Sequence, residues 1–204
     1  MSLEIYIARH GQNVDNQSGI LNGRRDLPLT DIGRLRAKQL GQGISEAGIK
    51  IDKIYSSPLI RALETAKIVS TIVGLSEKPE IIYELIERDF GEMTGVHQSE
   101  INKRCAPDII ETDTVTYFLN PEGAETFPDL VARGKEALDK VRSEQDNGTA
   151  LLVCHGDLGK MIYAGVTGKN WKDVLGEFHF GNGDLIEINA DSQSHVIKIA
   201  QHNL

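Results

Sequence analysis

Two histidines, two arginines and a glutamate in this chain stand where short apolar runs stop. The run Ile5-Tyr6-Ile7-Ala8 ends in Arg9-His10-Gly11, and the run 150–154 ends in His155-Gly156. Between them, the run 51–55 leads through Ser56-Ser57-Pro58 to Arg61, and the run 81–85 is followed closely by Glu87. A neutral imidazole whose second nitrogen is held by a hydrogen bond is a good nucleophile toward phosphorus. Guanidinium forks match phosphate oxygens two at a time, and the N–H groups at a helix start add to that attraction. Such cations stabilise the charge spread over a phosphoryl group in transfer, while the departing oxygen needs a proton from a nearby acid. Glu87 is the carboxyl group nearest a strand end. These residue types point to phosphoryl transfer if the fold gathers them. One histidine alone carries little weight, since a structural role is its commoner fate, so the case rests on convergence.

The elements that must do the gathering follow from pattern. Apolar runs bounded by glycine or proline read as buried strands. Residues 12–28, with Asn13, Asn16, Asn22, Gly23 and the pair Arg24-Arg25, read as an irregular loop of functional length. Thr30 is the expected N-cap of a helix with Ala37, Leu40, Ile44 and Ala47 on one face. Ser57 as cap and Pro58 at the first helical position start a second helix, buried along Ala62, Ala66, Val69 and Val73 and ended by Gly74. Residues 81–85 read as a third strand. Residues 92–125 give only a short helix near 96–104 and read as a lid or side-wall insertion. Thr126 opens a helix with Leu130, Gly134, Ala137 and Val141 inward, closed by Asn147-Gly148. Asp157 caps a helix built on Leu158, Met161, Ile162 and Val166 and stopped by Gly168. Two strand-like runs, 184–188 and 195–200, turn about Asp191-Ser192.

Strands alternating with helices predict an α/β fold: a three-layer α/β/α sandwich on a central, mostly parallel sheet, with the final pair as an antiparallel edge. Parallel strands would bring all four chemical groups to one sheet edge, where ligands bind in open α/β folds. One domain spanning residues 1–204 is the expectation for this length.

The chain has 22 Lys+Arg against 30 Asp+Glu, a net charge of −8. That balance disfavours nucleic acid and anionic membranes as partners, so an anion site must be a local group of arginines working against the overall field. No apolar run is long enough to span a membrane and no secretory leader is visible. Cys105 and Cys154 lack metal-like spacing and suggest a reduced, cytoplasmic protein. Cys154 also invites a thiol-phosphatase reading, but that chemistry wants an arginine six positions later, where Lys160 stands. Walker-type and aspartyl-phosphate motifs are missing as well.

The ordered set Arg9-His10-Gly11 with Asn16, Asp26-x-Pro28-Leu29-Thr30-x-x-Gly33, Ser57-Pro58-x-x-Arg61-Ala62-x-Glu64-Thr65-Ala66, Glu87-x-x-Phe90-Gly91, Gly123-Ala124-Glu125-Thr126 and His155-Gly156 resembles the histidine phosphatase superfamily, also called phosphoglycerate-mutase-like. The resemblance runs from about residue 5 to residue 182. It implies that His10 is the phosphorylated nucleophile, that Glu87 is the proton donor, and that Arg9, Asn16, Arg61, His155 and Gly156 line the phosphate pocket. Gln12, Asn22, Gly23, Arg24 and Arg88 are the further candidates for substrate contact. No metal is implied, and the expected partner is a small phosphorylated metabolite.

Departures from the family pattern bear on the branch. Gln12-Asn13 stand where Glu-Thr is usual, and Glu92-Met93-Thr94-Gly95 where Trp-Glu-Gly is frequent. The mutase branch usually has Glu-Arg-His-Tyr-Gly and then a longer basic insertion. Here Glu87-Arg88-Asp89-Phe90-Gly91 is followed by a segment whose only cations are Lys103 and Arg104. A mutase must hold a doubly phosphorylated intermediate, and only Arg24, Arg25 and Arg88 offer a second anion pocket. The favoured expectation is a metal-independent phosphomonoesterase. The alternatives are a phosphoglycerate mutase using 2,3-bisphosphoglycerate as cofactor, and a non-catalytic phospho-ligand-binding protein. Sequence alone leaves the alcohol half of the substrate and the oligomeric state open.

Overall fold

Successive residues of the first strand face opposite sides of the sheet. In β1 (Leu3–Arg9), Ile5 and Ile7 join one core cluster while Tyr6 and Ala8 join another. The same alternation runs through β6 (Gly148–Cys154), where Ala150, Leu152 and Cys154 face the first cluster and Leu151 and Val153 the second. Strands buried on both faces need helices on both faces. They have them: α2 (Asp31–Glu46) and α3 (Ile60–Ile72) pack on one side, and α5 (Phe127–Glu144), α6 (Gly156–Thr167) and α7 (Trp171–Glu177) on the other. The computed structural model describes residues 3–188 and Val196–Ile197. Among these no helix is long and apolar enough to cross a membrane.

The expected three-layer sandwich is present. With β2 (Lys53–Ser56), β3 (Glu80–Ile81), β7 (Leu185–Ile188) and β8 (Val196–Ile197), the sheet runs β3-β2-β6-β1-β7-β8. The first four strands in that order are parallel; β7 pairs antiparallel with β1 and with β8. The chain leaves β1 toward β2 and leaves β6 toward β7, so neighbouring strands send their connections in opposite directions. That is the switch point at which open α/β sheets form a crevice. The turn about Asp191-Ser192 and the ends of the run 195–200 lie outside the described residues.

Several local expectations change. The 12–28 loop contains a one-turn helix, α1 (Val14–Gln17), closed by reciprocal bonds between Asn13 and Asn16. The stripe of α2 stops at Ile44; Ala47 is its exposed C-cap. Helix α3 starts later than predicted, with Leu59 at its N-cap. The predicted third strand shrinks to Glu80–Ile81 and then tightens into a 3-10 turn, Tyr83–Leu85. Helix α5 stops at Glu144, short of Asn147-Gly148, and Asp157 lies within the first turn of α6, whose N-cap is His155. Residues 92–125 hold a 3-10 turn (Gln98–Glu100), α4 (Ile101–Cys105) and a hairpin missed in the sequence, β4 (Ile109–Glu111) with β5 (Thr116–Phe118). Phe118 anchors this segment in a small cluster with Phe90, Met93 and Ile101.

Candidate active site

The C-terminal end of β1 is held from both sides. His10 N–H donates to the Cys154 carbonyl of β6, while Gly183 N–H donates to the Arg9 carbonyl. Beyond it the chain passes very close to the first turn of α2: a Cβ on Gly33 would fall 1.9 Å from the Gln12 carbonyl oxygen, and one on Gly11 would fall 2.3 Å from the Gly33 oxygen. Glycine at both positions is what allows α2 to lock His10 in place. Gly11 N–H in turn donates to Thr65 Oγ1 on α3.

His10 is buried and its tautomer is legible. Nδ1 lies 2.6 Å from the Gly11 carbonyl oxygen, which can only accept, so Nδ1 carries the proton. Arg61 Nε donates to His10 Nε2 at 3.1 Å, so Nε2 presents a lone pair. Burial, then the Arg61 and Arg9 charges, push the imidazole well below its usual pKa, and the Gly11 carbonyl opposes them only in part. His10 is therefore a neutral imidazole with its outer nitrogen basic, the state a nucleophile needs.

Arg61 is fully buried, with Nη1 donating to the Arg25 carbonyl and Nη2 to the Gly23 carbonyl. Its pairing with Glu64, the usual fate of such neighbours on a helix, does not occur; Glu64 binds Arg34. Desolvation lowers its pKa to about 10, so it stays a cation. Arg9 donates from Nη1 to the Phe180 carbonyl, while its Nε is buried without a partner. A buried guanidinium N–H left over in this way is costly and suits an anion oxygen.

His155 packs edge-on against His10, ring centroids 5.1 Å apart, and its Nε2 is 2.7 Å from Ser57 Oγ. Ser57 does not cap α3 as the sequence suggested; it orients this histidine and accepts from Leu59 N–H. His155 too is held neutral by burial and by the Arg61 charge.

Glu87 is the buried member among its carboxylate neighbours, since Glu84 pairs with Lys140 and Glu92 is exposed. Its Oε1 accepts from Arg88 N–H at 2.9 Å and from Leu158 N–H at 3.3 Å, in the first turn of α6. Both bonds land on one oxygen, which leaves Oε2 as the place for a proton. Burial, then the Asp157 charge, raise the Glu87 pKa to about 7, against the opposing Arg88 N–H bond and the Arg61 and Arg9 charges.

These groups surround one cavity of about 200 Å³. Arg9, His10, Asn16, Asn22, Arg61, Glu87, Arg88 and Gly156 all reach its wall. His155 is not on the wall but packs against the His10 ring. Gln12, Gly23 and Arg24 are not on the wall. Gln12 accepts from Thr30, and Arg24 bridges Asp89 and Glu125. Arg88 lines the cavity but uses its guanidinium to donate to the carbonyls of Phe118, Leu119 and Glu125, over the Phe127 ring. Asn22 is closed in a side-chain pair with Asn13. Among the described residues, no three His, Cys, Asp or Glu side chains are grouped as metal ligands would be.

Sequence reasoning missed several residues on or next to the wall. Asn182 donates to the His10 carbonyl and to Asn16 Oδ1, but in sequence Gly181-Asn182-Gly183 is only a turn; the β1–β7 pairing alone brings it here. Asp157 and Lys160 reach the wall from α6, Thr116, Tyr117 and Phe118 from the hairpin, Gln98 from its 3-10 turn and His179 from a loop. Trp171 stacks on Phe127 and packs against the core.

The sheet end thus presents a neutral histidine, buried arginines and a carboxyl of raised pKa. The chain belongs to the histidine phosphatase superfamily (branch 1), whose family pattern covers residues 5–202. It is 28% identical over 94% of its length to a 2,3-bisphosphoglycerate-dependent phosphoglycerate mutase of Mesorhizobium japonicum, covering 95% of that protein. With the enzyme of the same name from Rhizobium meliloti it shares 32% identity over 94% of this chain and 93% of the other. Its fold matches a mycobacterial glucosyl-3-phosphoglycerate phosphatase with a TM-score of 0.77 at 23% identity, covering 90% and 91% of the two chains.

Proposed function

We propose that the protein is a phosphomonoesterase that works through a phosphohistidine on His10. The observation that carries this reading is the fixed tautomer of His10: a proton on Nδ1, a basic Nε2 on the cavity wall, and Arg61 and Glu87 beside it. Nε2 attacks phosphorus as the bond to the ester oxygen breaks, and Glu87 passes its Oε2 proton to the departing alcohol. Arg61 moves its Nε–H from Nε2 to a phosphate oxygen, and the unpartnered Arg9 Nε–H takes another. Asn16, His155 and the Gly156 end of α6 complete the cradle. In the second half, the Glu87 carboxylate takes a proton from water as that water attacks phosphorus and the N–P bond breaks. Every step uses this chain's own side chains and needs no metal.

The cations favour hydrolysis over mutase action. Arg88 is occupied by backbone carbonyls, Arg24 and Arg25 pair with carboxylates, and Lys103 and Arg104 pair with Glu100 near the surface. Lys160, the further cation on the wall, donates to the Leu175 carbonyl, so each of these cations already has a partner. The named function of the curated relatives supports the mutase alternative. Incubation with 3-phosphoglycerate, with and without 2,3-bisphosphoglycerate, separates the two. Phosphate release that outruns isomerisation in both arms is expected; cofactor-dependent isomerisation faster than release makes the protein a mutase. On this reading residues 92–125 form the side wall of a single phosphoglycerate-mutase-like domain and select the alcohol.

A further inference from the structure

Glu87 and Asp157 are tied to each other's neighbours. Glu87 accepts from the N–H of Leu158, the residue after Asp157, and Asp157 Oδ2 lies 3.5 Å from Nη1 of Arg88, the residue after Glu87. Both carboxyls reach the wall of the same cavity at the start of α6. The Asp157 charge raises the Glu87 pKa, so ionising one carboxyl makes ionising the other harder and the two titrate as a linked pair.

We infer that Asp157 is a positioning residue for the proton donor: its carboxylate keeps the proton of the pair on Glu87, ready for the leaving oxygen. This rests on the reading of Glu87 as the acid. The surroundings decide which partner is charged. Burial raises the pKa of both carboxyls. At Asp157, whose side chain keeps 15% exposure, it is opposed by the charges of Arg88, Arg9 and Lys160 and by the Arg88 bond. At Glu87 the Arg88 N–H bond and the Arg61 and Arg9 charges oppose it, but the Asp157 charge adds to it. Tyr117, across the cavity on β5, is a phenol with its pKa raised by burial and so adds no charge. The alternative for Asp157 is an ordinary acid in a helix's first turn, which would add stability without touching catalysis.

The two roles separate in a pH profile. In Asp157→Asn the shape is kept and the charge removed, so the alkaline limb of kcat/KM should move to lower pH by about one unit. At pH 8 the variant should be roughly ten-fold slower than wild type, and near pH 5.5 within about two-fold of it. An unmoved limb overturns the proposal. Carbon-13 NMR of the Glu87 carboxyl gives a second reading that needs no turnover: its midpoint should fall in Asp157→Asn. If that variant does not fold, wild type and Glu87→Gln, which keeps both Oε1 bonds, serve instead: the Asp157 midpoint should lie below that of Glu87 and stay unmoved in Glu87→Gln, whose amide copies the protonated Glu87, and a fall there would put the shared proton on Asp157 and overturn the proposal. An unchanged Glu87 midpoint in Asp157→Asn sinks the coupling even if the enzyme proves to be a phosphatase. A lowered Glu87 midpoint upholds it even if no ester is turned over, in which case only the hydrolase reading fails.

Discussion

Around one cavity, two regions are built differently. On the sheet side, His10, Arg61, Glu87 and His155 are 0–6% exposed, and each is fixed by bonds to backbone or to a neighbouring side chain of the site. On the other side, Val115, Thr116, Tyr117 and Phe118 belong to a ribbon of three residues per strand, too small to stand alone in water. That ribbon is fastened by Arg88, which donates to the Phe118 and Leu119 carbonyls, and by the Phe118 cluster. On the proposed reading, the sheet side holds the phosphate common to every ester, and the ribbon side meets the part of the substrate that differs. Reaction type and substrate choice should therefore respond to different substitutions.

The strongest break comes from the sheet side. His10→Ala should lower kcat by about three orders of magnitude or more while circular dichroism stays native, since the reaction loses its nucleophile. Activity above about 1% of wild type would contradict that role. Glu87→Gln should cost about 10²–10⁴-fold with alkyl phosphates. In kcat/KM, which reads only the phosphorylation half, the same variant should lose much less with p-nitrophenyl phosphate, whose phenolate departs without a proton, and equal losses of kcat/KM on both esters would remove Glu87 from the acid role.

The fastening of the ribbon gives the next effect. Arg88→Ala removes a buried cation and strands three carbonyls, which should lower unfolding free energy in urea by roughly 3–5 kcal/mol. A loss below about 1 kcal/mol would mean that the ribbon is held by other contacts. Smallest is Val115→Ala, on the ribbon face of the cavity. Lost apolar contact at about 0.8 kcal/mol per methylene should change KM among esters by up to roughly ten-fold. Its kcat on p-nitrophenyl phosphate should stay within about two-fold, and a uniform fall in kcat for all esters would erase the distinction between the two regions.

The same division explains what could be read from sequence. His10, Arg61, Glu87 and His155 follow apolar runs, and parallel pairing brings such ends together, so their convergence was legible before any coordinates. The ribbon was not, because β4 and β5 are too short for alternation to register and their stability comes from distant partners, Arg88 and Phe90. Asn182 was hidden for a related reason, since only the antiparallel return of β7 beside β1 brings it to His10. Ser57 was misread because Pro58 makes a local helix start convincing, whereas the tertiary bond to His155 claims the hydroxyl. Asp157 was read as a cap for want of any sign that Glu87 would lie beside it.

The most direct test of the account is to trap the covalent intermediate. Wild-type protein mixed with a phosphorus-32-labelled ester and quenched in alkali should carry label on the peptide containing His10, stable to base and lost in acid; His10→Ala should carry none. Turnover with no labelled protein at any quench time, or label that survives acid or maps to another residue, would contradict the claim that this site works through His10.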